Sequence, residues 1–286
     1  MRIGKIIMDI THADGDVRYV PGEWAANGFC AIAHETRYLW LLDKFNLRNK
    51  RILDFGCGAG YGANIIADVA QSIVAVDISC EAISYARKNY IKQNLKFING
   101  DISSIDFPHK INTKFDLIVS FDVIEHVERY YDFVTNIKSL LNIGGIAIIG
   151  CPNRWATFDF NVGWNLYHMQ EFTPAQLYWL MSTRFNNVEI YSQDFIDKNI
   201  HSAFTVKNNK QNVSAFYLIK ELIKKLLPKA YHVFFRNIKR TIDNKDMPSK
   251  GGFNLKNSDI SFQKIALDDQ LKCKKPFGII AVCKNF

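Results

Sequence analysis

The sequence predicts an α/β fold: a doubly wound, mainly parallel sheet covered by helices on both faces, with a helical insertion before the last strand. Three observations predict it. Short apolar runs alternate with stretches of helical spacing, as strands buried between two helix layers require. The first run, Ile52-Leu53, ends in an acid, Asp54, and breaks into a glycine turn. A last apolar run, Phe277 to Cys283, follows a long polar stretch from Ser192 to Lys275.

The elements follow in order. Met1 to Asn46 precedes the core, with a turn at Arg18-Tyr19-Val20-Pro21-Gly22 and a helix over Phe29 to Phe45, whose Ile32, Leu39, Leu42 and Phe45 share one face. Strand one leads into Gly56, Cys57, Gly58, Ala59 and Gly60, and a helix starts at Tyr61. Glycine tolerates positive φ and lets a ligand lie against bare backbone. Strand two is Ile73 to Asp77; a helix over Ser79 to Lys92 follows, capped by Ser79 and burying Ala82, Ile83 and Ala86. Strand three is Leu95 to Ile98, strand four Asp116 to Ser120 and strand five Asn142 to Gly150, with a helix over Tyr130 to Leu141 between the last two. A helix over Phe172 to Phe185 opens on Thr173-Pro174, and Asn187 to Tyr191 is strand six.

Composition narrows the class. The 286 residues carry a net charge of +8 and 48% hydrophobic residues, ordinary for a globular chain apart from the basic excess. Six cysteines with no C-x-x-C pair suit a reducing compartment and exclude both a disulfide framework and a zinc cluster. No signal peptide is expected from the amino-terminal residues, and no apolar run is long enough to span a membrane. The excess charge gathers in Ser214 to Thr241, where Leu218, Leu222, Leu226 and Leu227 face one way and Pro228 ends the helix. A solvated basic face, a contact with an anionic membrane or substrate, and a dimer arm all fit it.

Which ligand the glycine turn takes is a separate question. A phosphate loop would end in Gly-Lys-Ser/Thr, which is missing. Gly58-x-Gly60-x-x-Ala63 satisfies a dinucleotide frame, so a dehydrogenase stays open. Asp54 argues otherwise, since an acid would repel a pyrophosphate and suits an ammonium group. Asp77 can accept both ribose hydroxyls of an adenosine, and Asn99-Gly100-Asp101-Ile102 offers polar groups near an adenine edge.

With DFGCGAG at Asp54 to Gly60, VD at Val76-Asp77, GDI at Gly100 to Ile102, DLIVSFDVIEHV at Asp116 to Val127 and LLNIGGIAIIGCPN at Leu140 to Asn153, the chain resembles the class I S-adenosylmethionine-dependent methyltransferases. The polysaccharide-pathway and ubiquinone-type small-molecule O-methyltransferases are the nearest in look, through RYVPG, His34-x-x-Arg37-Tyr38, EHV and His168-x-x-Glu171-Phe172-Thr173. The resemblance implies seven strands, the last antiparallel and inserted beside the sixth. It implies Gly56, Gly58 and Gly60 against the methionine half of S-adenosylmethionine, Asp54 near its amine, Asp77 on the ribose, and Asp101 and Ile102 at the adenine. Cys57, Tyr61, Ile78, Phe121 and Asp122 complete the expected cofactor set. Arg37 is expected at the cofactor carboxylate and Tyr19 closing over it. The expected organisation is an amino-terminal cap (1–46), a core (47–195 plus 277–286) and an insertion or lid (196–276).

Methyl transfer to a hydroxyl needs alignment and a proton acceptor. Glu125, His126 and His168 are the catalytic candidates, since both histidines follow strand ends where doubly wound folds place their sites. Aromatic residues around His168, among them Trp155, Phe158, Phe160, Trp164 and Tyr167, could wall a sugar or flat acceptor or be plain core. Asp122, Glu125, His126 and His168 also resemble the metal-binding pattern of small-RNA 2′-O-methyltransferases, with Asp122 one methylene shorter than that family's Glu; a bound divalent metal is the less favoured reading. The expected activity is O-methylation of a sugar or other small molecule in bacterial surface-glycan synthesis, in the cytoplasm or at the inner face of the membrane. Nucleic acid is not the expected partner. The alternatives are a metal-assisted RNA methyltransferase and a cofactor-binding module without catalysis.

Overall fold

The computed structural model describes residues 29–155, 168–196, 259–266, 269 and 276–286. Their elements begin with α1 (Phe29–Lys44), β1 (Arg51–Phe55), α2 (Tyr61–Ala67), β2 (Ser72–Asp77), α3 (Cys80–Asn89) and β3 (Leu95–Asn99). They continue through α4 (Phe107–Ile111), β4 (Phe115–Phe121), α5 (Tyr130–Leu140), β5 (Leu141–Pro152), α6 (Pro174–Ser182), β6 (Asn187–Phe195), β7 (Ile260–Ile265) and β8 (Gly278–Lys284). Ser79 caps α3 by accepting from the Ala82 N–H at 3.1 Å. Thr173 and Gln176 form a reciprocal capping box at the start of α6, which fixes where that helix begins.

The sheet order is β3-β2-β1-β4-β5-β8-β6-β7. Strands β1 to β5 are parallel to one another, and β8 lies antiparallel between β5 and β6. The chain steps outward from β1 through β2 to β3, then returns to the other side of β1 at β4. That reversal opens a crevice at the carboxyl ends of β1 and β4, where ligands of such sheets bind.

Side chains alternate between two cores. Ile52, Ile73, Leu117, Ile148 and Ile280 pack with Leu41 of α1, Ile66 of α2 and Ile83 of α3. Leu53, Phe55, Ile118, Ile149 and Ile279 pack on the opposite face with Phe107 of α4, Phe133 of α5 and Leu177 of α6. Strands apolar at every position are thus explained, because both faces are covered.

One strand goes beyond the expected seven. Strand β7 falls in the stretch read as polar and irregular and pairs antiparallel with β6 from Phe195↔Ile260 to Ile190↔Ile265. It is an edge strand with Gln263 and Lys264 exposed, so its apolar signal is weak. Strand β6 accordingly runs past Tyr191 to Phe195. Trp40 of α1 stacks on Phe262 of β7 at 5.1 Å, so the cap helix rests partly on this added strand. The Arg18 to Gly22 turn with Tyr19, the aromatics Phe158, Phe160, Trp164 and Tyr167, and the basic stretch Ser214 to Thr241 lie outside the described residues.

Gly62, the second residue of α2, shows what seats α1. A Cβ there would lie 2.0 Å from Cζ of Tyr38. Helix propensity alone predicts that Gly62→Ala stabilises by about 1 kcal/mol. The clash reverses the sign: we expect a net loss of about 1–3 kcal/mol, read as a lower urea midpoint.

Candidate functional site

The glycine turn is built on β2. The N–H groups of Gly56 and Cys57 donate to the Val76 carbonyl at 2.8 and 2.9 Å, and that of Gly58 donates to Asp77 Oδ2 at 2.8 Å. Asp77 Oδ1 accepts from the Ser79 N–H at 2.9 Å. One carboxylate therefore ties the turn to the start of α3. Gly56 and Gly60 hold φ of 95° and 86°. A Cβ at Gly56 would meet Val123 Cγ2 at 2.4 Å, so glycine here also lets the segment after β4 approach the turn.

Two carboxyls flank the crevice, Asp54 buried and Asp122 half-buried, each met by a residue of α1. Asp54, fully buried, receives the Tyr38 hydroxyl at 3.3 Å on Oδ2. Burial pushes the Asp54 carboxyl up to about 7, with Tyr38 lowering it and Asp77 adding to the rise. Asp122, in the left-handed region at φ 53°, binds Arg37 through Oδ2 and has His34 Nδ1 at 3.1 Å from the same oxygen. Burial works against the Asp122 charge, but Arg37, His34 and His126 outweigh it and hold the carboxyl below its ordinary range. Its Oδ1 is buried and has no hydrogen-bond partner among the described residues. Arg37 Nε donates to Gln193 Oε1 at 2.7 Å, and Gln193 Nε2 donates to the Ala33 carbonyl and Thr36 Oγ1 at 2.8 and 3.0 Å.

Past β4, a single 3₁₀ turn (Ile124–His126) presents Glu125 and His126. The Met169 and Gln170 N–H groups donate to the Glu125 carbonyl at 2.6 and 3.1 Å, which brings the His168 segment alongside. The His126 and His168 rings meet edge to face at 4.9 Å. His168 Nδ1 lies 3.2 Å from Glu171 Oε1, and both side chains are about nine-tenths buried. Donor atoms of Glu125, His126 and His168 all lie within 4.8 Å of one another. Two imidazoles and a carboxylate at that spacing fit a divalent ion such as Mn²⁺ or Fe²⁺, and equally fit a base held by acids.

The structure brings Asp54, Gly56, Cys57, Gly58, Gly60, Tyr61, Asp77, Phe121 and Asp122 to the carboxyl ends of β1, β2 and β4. Ile78 is exposed beside Asp77, while Ile102 is buried and Asp101 exposed after β3. Arg37 differs from expectation: Asp122 and Gln193 engage it, because a guanidinium buried to 4% exposure needs a counter-charge. Asp122 likewise falls outside the metal-donor group expected to include it. Tyr38 and Gln193 escaped the sequence reading. Tyr38 stands in the quoted His34-x-x-Arg37-Tyr38 pattern, whereas nothing around Gln193 marks it out.

Comparisons with known proteins agree with this geometry. Residues 46–226 match the family model described as a methyltransferase domain. A probable S-adenosylmethionine-dependent methyltransferase of Mycolicibacterium smegmatis is 30% identical over 176 residues, 60% of this chain and 64% of that protein. A ubiquinone biosynthesis O-methyltransferase of Glaesserella parasuis is 31% identical over 125 residues, 42% of this chain and 53% of that one. The chain thus spans between about half and two thirds of these relatives' lengths. The fold is shared with a SAM-dependent methyltransferase from Archaeoglobus fulgidus at a TM-score of 0.53 and 15% identity, covering 88% of this chain and 94% of the other.

Proposed function

Because the chain belongs to the methyltransferase-domain family, we propose that it methylates a hydroxyl of a sugar or other small polar acceptor, using S-adenosylmethionine, in surface-glycan synthesis. When bound, the cofactor supplies an electrophilic sulfonium methyl. The chain's own residues do the rest. The glycine turn lies against the methionine half, Asp77 receives the ribose, Asp54 receives the ammonium, and His168 accepts the acceptor's proton. The observation that carries the reading is the His168–Glu171 pair beside His126. A carboxylate on Nδ1 orients the ring, leaving the other nitrogen for a substrate hydroxyl. O-methylation by ubiquinone-type relatives supports a hydroxyl acceptor, and the RYVPG and His34-x-x-Arg37-Tyr38 resemblance supports a glycan. Among the described residues no helix is long and apolar enough to cross a membrane.

A second reading has its own observation. The donor group of Glu125, His126 and His168 suits a divalent ion that would hold neighbouring hydroxyls, as the RNA-type pattern implies. Calorimetric titration with S-adenosylhomocysteine, before and after chelation and with Mg²⁺ or Mn²⁺ restored, separates the two. We expect micromolar cofactor binding without a separate metal heat. A metal heat abolished in His168→Ala would favour the metal-assisted reaction, and a lack of S-adenosylhomocysteine binding would refute the cofactor assignment.

A further inference from the structure

We propose that Tyr38 is the positioning residue for the Asp54 carboxylate, so that seating of α1 and recognition of the cofactor's amino-acid half are one event; this rests on the cofactor reading above. Among the described residues Tyr38 is the only hydrogen-bond partner of the Asp54 carboxylate: its hydroxyl reaches Oδ2 at 3.3 Å and Oδ1 at 3.5 Å. Burial and the nearby Asp54 raise the Tyr38 hydroxyl well above its ordinary range, so it stays a donor. The ring cannot swing away. Tyr61 meets it edge-on at 5.3 Å, Phe121 at 5.1 Å, and the bare Cα of Gly62 leaves the slot it occupies. Those neighbours belong to α2 and β4, the elements that bound the crevice. One α1 side chain is thus clamped by the binding site's own framework, with its polar atom on the acid expected to meet an ammonium.

The remaining acceptor capacity of Asp54 is large. A carboxylate has about four acceptor directions, and one hydroxyl shared between two oxygens fills few of them. An ammonium offers three donors and a charge. The groups facing Asp54 are Tyr38 from α1, which favours the ionised form, and Asp77 from β2, which disfavours it; Tyr61 and Cys57 stand beside the Tyr38 hydroxyl. Because burial sets the Asp54 carboxyl at about 7, affinity for an ammonium-bearing ligand should rise as pH rises through that value and fall below it. Removing the Tyr38 hydroxyl withdraws support from the carboxylate and moves the midpoint to higher pH.

The test compares S-adenosylhomocysteine with 5′-methylthioadenosine, which lacks the amino-acid half, by calorimetry on either side of pH 7. Wild type, Tyr38→Phe and Asp54→Asn are titrated with both. We expect Tyr38→Phe to weaken S-adenosylhomocysteine about 5–10-fold, to shift its pH midpoint upward and to leave methylthioadenosine unchanged. Asp54→Asn should abolish the pH dependence. Wild-type affinity and pH profile in Tyr38→Phe would overturn the inference while Asp54→Asn upholds the cofactor reading. Equal weakening of both ligands would also overturn it, since the hydroxyl would then act on the site at large. Wild type that fails to bind S-adenosylhomocysteine would overturn the cofactor reading and this inference together.

Discussion

Arg37→Met should destabilise the protein by about 3–5 kcal/mol, read as a lower urea midpoint at unchanged slope. Arg37 is 4% exposed and Gln193 wholly buried, so this polar chain exchanges little with water. Methionine fills most of the volume but leaves the half-buried Asp122 charge with only His34, at 3.1 Å, and His126 to offset it. The carboxyl, now held below its ordinary range, would rise once Arg37 is gone. Its pairing therefore stabilises the fold above the ordinary carboxylate range and is lost as pH falls through the depressed value. The deficit of Arg37→Met should be full at neutral pH and shrink in acid. Arg37→Met with Asp122→Asn removes both charges and should recover most of the loss, since replacing a whole buried pair costs far less than breaking one. A deficit below about 1 kcal/mol at neutral pH would mean that the pair behaves like an exposed surface bridge, contrary to its burial.

That network also marks where sequence reasoning ran out. The glycine turn, Asp54 and Asp77 were legible because the signals lie within a few residues of one another and repeat a strand–turn–helix logic. Arg37 was visible as a charged residue on a helix near the crevice, but its partners were not. Gln193 lies 156 positions away in sequence, on the far half of the sheet, and contributes no local pattern. Tyr38 was hidden differently. Its neighbour Gly62 looks like one more glycine of the turn, yet it is helical, and only packing shows that its missing Cβ makes room for an α1 ring. Strand β7 was hidden by position, since edge strands carry exposed polar residues such as Lys264. By contrast, the His126 and His168 segments were singled out separately, and the Glu125 carbonyl joins them through two backbone hydrogen bonds.

Asp77→Ala should weaken S-adenosylhomocysteine by about 100-fold or more, and Asp77→Asn should weaken it nearly as much. The first follows from losing the proposed ribose acceptor together with charge-assisted bonds of about 1.5–3 kcal/mol each. The second follows from geometry particular to this chain. Both Asp77 oxygens already accept backbone N–H groups, Oδ2 from Gly58 at 2.8 Å and Oδ1 from Ser79 at 2.9 Å. An asparagine amide must turn its NH₂ toward one of those donors. Two donors then face each other in a site 4% exposed, and either the glycine turn or the cap of α3 has to yield. If Asp77 served the ribose alone, its amide could keep one acceptor and one donor for the two hydroxyls, and the loss would be mild. Calorimetry on both variants, with thermal melts to confirm folding, distinguishes these roles. A severe loss in both assigns Asp77 the shape of the turn as well as the ribose; a mild loss in Asp77→Asn would confine it to the ribose.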